Sequence, residues 1–246
     1  MMYMTPLYKD VKRQITAELA RGAWPPGKAL PSEARLAARF QVSVGTLRKA
    51  IDELVAERAV VRHQGRGTFV ATHSQSRLLY HFFHIVPREG KKEYPANRTL
   101  AFGRSRAQSA EAAKLGIAAG EPVFRVRNLL SLGGRPVIVD DLTLPQRLFP
   151  GLTLRMLRER DNTIYHLYQT RYGINVLRTA ERLRAGVADA EVARLLGLGK
   201  GVPVLEIERV ALTYHDAPVE LRRSLVDTSA HDYFSDLGKQ VDTLGS

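Results

Sequence analysis

Only three residues, Gln41-Val42-Ser43, separate two stretches of helical periodicity, so the two helices must meet at a steep angle. The first helix fits Ser32–Phe40: Ser32 can cap it, Glu33 suits its positive end, and Leu36 and Phe40 share a face. Ser43 caps the second, whose buried stripe is Leu47, Ala50, Ile51 and Leu54. Upstream, Leu7, Val11, Ile15 and Leu19 recur every four residues, and Gly22 marks the end of that helix. WPPGKALP (24–31) is extended, since three prolines and a glycine leave no helix there. Downstream, Val60–His63 and Thr68–Val70 read as short strands around Gln64-Gly65-Arg66-Gly67, whose glycines supply the positive φ of a tight tip. A helix-turn-helix followed at once by a hairpin is a winged helix. We assign it residues 1–71, a polar linker 72–78 (THSQSRL), and a second domain 79–241.

Charge singles out the first segment. Residues 1–73 carry 12 Lys and Arg against 6 Asp and Glu, and the other 173 residues carry 25 against 19. The excess per residue is thus more than twice as dense at the N-terminus, which points to a polyanionic partner there. The whole chain has a formal net charge of +12. With no cysteine, disulfides and thiolate chemistry are excluded and a cytoplasmic setting is expected. The seven His lack metal-ligand spacing, so neither a metal nor a cofactor is expected. No apolar run is long enough to cross a bilayer, so no membrane partner is expected.

With Leu47, Ala50, Ile51 and Leu54 inward, Val44, Gly45, Arg48, Lys49 and Asp52 face outward, and Ser43 and Thr46 lie at the helix N-terminus that would reach base edges. Arg48 suits guanine O6/N7 or phosphate, Lys49 suits phosphate, and the two hydroxyls suit phosphate oxygens. His63-Gln64-Gly65-Arg66 makes a compact basic tip able to lie along a groove. The spacing of the glycines fits no nucleotide-phosphate loop, because a strand follows them. Taken singly, Arg48 and Lys49 are ordinary solvated charges; the joint order of elements carries the argument.

The stretch LPSEARLAARFQVSVGTLRKAIDELVAERAVVRHQGRGTFV resembles the winged helix-turn-helix of GntR-type bacterial transcription regulators over residues 5–72. The resemblance implies contact with double-stranded DNA by Ser43, Thr46, Arg48 and the tip Gln64, Gly65 and Arg66; Ser32, Arg35, Gly45, Lys49 and His63 are expected to join that surface. Two positions depart from the family pattern: Ala34 and Val44 stand where arginine is usual. The expected protein is a homodimeric repressor on a palindromic operator.

The second domain repeats itself. AEAAKLGIAAGEPVFRVRNL (110–129) matches AEVARLLGLGKGVPVLEIERV (190–210), with one extra leucine in the second copy. Each copy runs helix, glycine-rich stop and alternating strand, then turns through GGRPV (133–137) or HDAPV (215–219) into another strand. YHFFHIV (80–86) and TLAFG (99–103) add strands, and Thr163–Tyr172 adds a helix. Helices beside a mostly antiparallel sheet make an α+β domain. From about residue 78 to 240 it resembles the UTRA effector domain of the HutC branch, which shares a chorismate-lyase-like fold.

Arg125 and Arg127 alternate along one strand and so share a face, as an anion clamp would require. The resemblance places them in an effector pocket with Asp140, Thr163, Tyr165 and Glu220, for a small phosphorylated or carboxylated effector. The family pattern usually has glutamate at Asp140 and serine at Thr163. The competing reading pairs Arg125 and Arg127 with Glu206 and Glu208 as ion pairs across the sheet. Glu181 is left unassigned. Two further functions stay in play: a second domain that only dimerises, and a lyase-like enzyme, although no nucleophile–base pair is visible.

Overall fold

The computed structural model describes residues 6–73, 81–160 and 163–235. The greater part of the expected linker, 74–78, lies outside the described residues, as does Tyr80. The chain forms two compact units. The first gathers the N-terminal segment through His73 with Tyr165–Arg178 and Leu212–Ala217; the second holds the remainder.

In the first unit, α1 (Leu7–Ala20), α2 (Glu33–Arg39) and α3 (Val44–Ala56) are followed by β1 (Val60–His63) and β2 (Gly67–Val70), paired antiparallel. Ser32 and Ser43 cap α2 and α3 through their hydroxyls, which accept from the Arg35 and Thr46 backbone N–H groups at 3.4 and 3.1 Å. Leu47, Ala50, Ile51 and Leu54 are all buried, as the stripe requires, and meet Val11, Ile15 and Leu19 of α1. At about 1.5–3 kcal/mol for each large side chain, this stripe holds the three helices together. Leu7 departs from expectation and is 57% exposed. It is the first residue of α1 and lies before the buried stretch begins at Val11. The extended segment 24–31 lies along β2: Gly27 and Leu30 N–H donate to the carbonyls of Val70 and Thr68 at 2.9 and 2.8 Å.

The later segments are bound into this unit by buried polar contacts. In α6 (Ile164–Tyr172), the Gln169 amide donates to Ala71 O at 3.0 Å and accepts from His73 N–H at 2.9 Å. Asn175 accepts from Gln169 at 3.1 Å and donates to the Tyr214 hydroxyl at 3.2 Å. Tyr214 is itself a member of the buried cluster built by the three helices.

The second unit is built on a six-stranded sheet ordered β4-β5-β6-β9-β8-β7. Its strands are β4 (Ala96–Arg106), β5 (Pro122–Leu132), β6 (Arg135–Pro145), β7 (Arg178–Val187), β8 (Pro203–Leu212) and β9 (Pro218–Val226). With α4 (Ser109–Leu115) and α7 (Ala190–Leu196), the internal repeat becomes two halves of strand, helix, strand, strand, meeting at β6 and β9. Each helix stops at a left-handed glycine, Gly116 (φ 59°) and Gly197 (φ 70°), which fits the repeated glycine of the sequence. A short helix, α5 (Leu154–Arg158), follows β6 in the chain. Both sheet faces are covered. Leu129, Val139 and Leu225 pack with Val192, Ala193 and Leu196 of α7. Leu130, Ile138 and Val226 pack on the other side with Phe83 and Ile85. There a two-stranded ribbon forms from β3 (Ile85–Pro87) and β10 (His231–Tyr233). The strand expected at 80–86 is therefore shorter and later, since His81 and Phe82 take a helical turn.

Candidate functional site

Two constellations follow from this geometry, one in each unit. In the first, Ser43, Val44, Gly45, Arg48 and Lys49 are exposed around the N-terminal half of α3, and Thr46 is half-buried. The Ser43 and Thr46 hydroxyls lie 2.9 Å apart. His63, Gln64, Gly65 and Arg66 are exposed at the hairpin tip, where Gly65 has φ 70° and Arg66 N–H donates to His63 O at 3.0 Å. The His63 ring stands edge-on to Phe69, 5.1 Å between centroids. Ser32 and Arg35 are exposed at the start of α2.

Carboxylates hold Arg48 and the nearby Arg62 in place. Arg48 donates to one Glu33 oxygen from Nε at 3.0 Å and Nη2 at 2.9 Å. Arg62 on β1, which the sequence reading passed over, bridges Asp52 of α3 at 2.8 Å and Glu33 of α2 at 3.4 Å. It thus ties the wing to both helices. The Lys49 ammonium sits 4.3 Å from the centre of the Tyr8 ring, a cation–π contact of about 0.5–1 kcal/mol at an exposed site. Lys12 spans Glu53 and Glu57 at 2.7 and 2.6 Å. Surface pairs of this kind contribute about 0–1 kcal/mol each, so Arg48 can exchange Glu33 for a phosphate or a guanine edge at small cost.

Within the second unit, Arg125 and Arg127 lie on the opposite sheet face from Asp140 and Glu220. Arg125 and Arg127 lie on the helix-covered face. Arg125 binds Glu111 of α4 and donates to Thr143 Oγ1 at 2.6 Å. Arg127 forms a fork on Asp141 at 2.7 and 2.8 Å and reaches Glu191 of α7 at 2.7 Å. Hydrogen bonds from Arg127 to Asp141 hold its pKa above the ordinary value against the opposing effect of burial, with Glu191 adding to the rise. The pairing of Arg125 and Arg127 with Glu206 and Glu208 does not occur either: Glu206 pairs with Arg223 and Arg184, and Glu208 with Lys114 and Arg184.

Asp140 and Glu220 lie on the opposite, ribbon-covered face. The register shows why. Gly133-Gly134 make a two-residue hairpin with Leu132 opposite Arg135, which by itself would place Arg127 opposite Asp140. A bulge at Val137 shifts the pairing by one residue, so that Arg127 faces Asp141 and Asp140 faces Asn128. Thr163 is buried in the second unit, whereas Tyr165 belongs to the first, with its ring 5.8 Å from those of His73 and Tyr168.

Asp140 instead meets residues that the sequence reading missed. Arg222 donates to Asp140 Oδ2 at 3.0 Å and to Glu220 Oε1 at 2.9 Å. Ser224 donates to Asp140 Oδ1 at 2.6 Å. Beside them Arg209 donates to Glu181 Oε1 at 2.5 Å, and the Tyr233 hydroxyl donates to Glu181 Oε2 at 2.5 Å. Burial raises the Glu181 pKa, but Arg209, Tyr233 and His84 outweigh it and leave the carboxyl below its ordinary value. Burial lowers the His84 pKa, Glu181 opposes this, and Arg209 and Lys92 reinforce it. Burial and the Glu181 carboxylate push the Tyr233 phenol up. Arg209, Arg222, Asp140, Ser224, His84 and Tyr233 line a cavity of about 30 Å³ between sheet and ribbon. Alternation alone could have placed Arg222 beside Glu220, two residues away on one strand.

The geometry agrees with what known proteins show. The pattern described as bacterial regulatory proteins, gntR family, matches residues 7–70, and that of the UTRA domain matches residues 90–232. The chain belongs to the GntR family and carries a UTRA domain. It is 29% identical over 229 residues to the HTH-type transcriptional regulator YurK of Bacillus subtilis, covering 92% of this chain and 93% of that one. It is 27% identical over 205 residues to the mannosyl-D-glycerate transport/metabolism system repressor MngR of Escherichia coli, covering 82% and 83%. The ligand-binding domain of a GntR-family regulator from Bordetella bronchiseptica superposes with a TM-score of 0.62 at 37% identity, covering 64% of this chain and 98% of that one. This GntR-family chain is thus a transcriptional regulator with a DNA-reading head and a UTRA ligand-binding domain. Among the described residues, no helix is long and apolar enough to cross a membrane.

Proposed function

We propose that this regulator is a homodimeric repressor whose hold on a palindromic operator is modulated by a small molecule bound under the β3–β10 ribbon. The exposed N-terminal half of α3 beside an exposed basic wing carries the DNA side of the reading. In this reading Ser43, Thr46, Arg48 and Lys49 meet the major groove and its phosphates, and His63–Arg66 lie along the neighbouring backbone. Two heads in a dimer would then address half-sites about 34–36 Å apart. The relative MngR, itself a repressor by name, favours repression over activation.

The cavity with Arg209, Arg222, Asp140 and Ser224 supports the effector side better than Arg125 and Arg127, whose guanidiniums are engaged by acids of α4, α7 and β6. Arg209 and Arg222 lie on β8 and β9, and the turn joining those strands carries Tyr214, buried in the first unit. A ligand that shifts β8 against β9 would therefore act on the core of the reading head through one continuous hairpin. Such a ligand releases DNA only to the extent that it binds the non-reading arrangement more tightly.

Gel shifts with the upstream intergenic DNA test the proposal. A palindromic footprint with a steep fall in affinity as salt rises is expected; its absence at low salt refutes it. A second reading, in which this domain only dimerises, is favoured by the small size of the cavity. It predicts that no small molecule raises the unfolding temperature.

A further inference from the structure

The pocket proposed above already contains its own counter-ions, which constrains what it can accept. We infer that the effector carries no net negative charge: it is an unphosphorylated molecule with an apolar body and hydroxyl or zwitterionic polar groups. This rests on the reading of the ribbon-covered cavity as the effector site.

Among the described residues, the two arginines at the cavity are already engaged by acids. Arg222 is matched by Asp140 and Glu220, and Arg209 by Glu181. His84 is disfavoured as a cation by burial. The carboxylates are deeply placed: Glu220 and Asp140 have side-chain exposures of 0% and 3%. A phosphate dianion entering here would have to compete with buried acids for the same guanidiniums, and stripping a buried acid of its cation is costly. It would also add two negative charges beside Asp140, Glu220 and Glu181.

The remaining walls are hydrocarbon. Phe83, Ile85, Leu130, Ile138, Ile207 and Val226 line the same cavity, and Leu130 takes the place on β5 two residues beyond Asn128. Thr99 donates to Asn128 Oδ1 at 2.8 Å, so this neighbour of Asp140 is a neutral amide engaged in its own bond. The cavity of about 30 Å³ has room for roughly one water. Entry of any larger molecule requires the β3–β10 ribbon to lift, carrying His84 and Tyr233 with it. A neutral ligand with hydroxyls can then share the existing ion pairs as donor and acceptor without breaking them, while its apolar part meets the aliphatic walls.

Thermal unfolding and calorimetry on the full-length protein test this with inorganic phosphate, phenyl β-glucoside and the 6-phosphate of that glucoside. Wild type should show no response to phosphate at about 10 mM, and the glucoside should bind more tightly than its phosphate. The double variant Asp140→Asn, Glu181→Gln should bind inorganic phosphate at least ~10-fold more tightly than wild type. Phosphate or the sugar phosphate stabilising wild type, with the effect lost in Arg222→Lys, would overturn the inference while leaving the pocket reading intact. Failure of the folded double variant to gain phosphate binding would overturn it too, since the acids would then not be what excludes anions. Should that variant fail to fold, the wild-type comparison of glucoside with glucoside phosphate decides alone. If the variant gains phosphate binding yet operator affinity stays unchanged when it is saturated, the charge argument holds and the link from pocket to DNA fails.

Discussion

Arg48 in the reading head and Arg222 beneath the ribbon both hold a carboxylate at 2.9–3.0 Å, and they are opposite kinds of residue. Arg48 is 59% exposed and its partner Glu33 29%, so water competes for both and the pair is released cheaply. Arg222 is 12% exposed, and its partners Asp140 and Glu220 are 3% and 0%. There one guanidinium is shared by two buried carboxylates, and taking it away would leave buried negative charge uncompensated. The same bond therefore leaves an exposed, exchangeable cation in one place and fixes the shape of an enclosure in the other.

The contrast breaks most sharply at Arg222. Arg222→Ala should destabilise the second unit by about 3–5 kcal/mol, because two buried acids lose the guanidinium they share, and chemical denaturation measures this directly. A smaller loss in the triple variant that also carries Asp140→Asn and Glu220→Gln would confirm the cause. Tyr214→Ala should cost about 3 kcal/mol, as expected for emptying an aromatic site in a packed core. Its transition should be that of the first unit, with Leu47 and Ile51 losing amide protection together.

Next comes DNA affinity. Arg48→Ala should weaken operator binding by about 1–3 kcal/mol if the side chain reads a base edge, with altered preference at one position. A uniform loss across sequences, with a reduced salt slope, would reassign it to phosphate. The same variant should change folding stability by no more than about 0.5 kcal/mol, the least of these effects and the one that most directly separates Arg48 from Arg222.

A pH series sharpens the comparison. The folded pKa of Glu181 lies below its ordinary value of 4.5, so its contribution to stability is present above about pH 4.5 and is lost as pH falls through the folded value. Wild type should therefore lose stability more steeply than Glu181→Gln below pH 4.5, as read by denaturation midpoints. Equal slopes would show that Arg209 gains nothing from the charged form.

The reading head was largely legible in the sequence. Its helices obey a four-residue stripe, Ser32 and Ser43 stand where caps must stand, and glycine marks the wing tip. All of these are local rules operating within a few residues. The helix–strand repeat of the second domain was legible for the same reason. The pocket was not, because strand alternation says which residues share a face but not which face meets which partner.

That choice was made by one extra residue. The bulge at Val137 moved Asp141 opposite Arg127 and turned Asp140 to the ribbon side, where Arg222 and Ser224 wait on a strand about eighty positions later. Nor could periodicity reveal that Tyr165–Arg178 and Tyr214 pack with the N-terminal helices, since those contacts join buried groups far apart in the chain. By itself the sequence determined the elements, their caps and the basic reading surface, because helix and turn preferences act over a few residues. Strand register and the membership of each core were decided only in three dimensions, where long-range packing selects among locally equivalent arrangements.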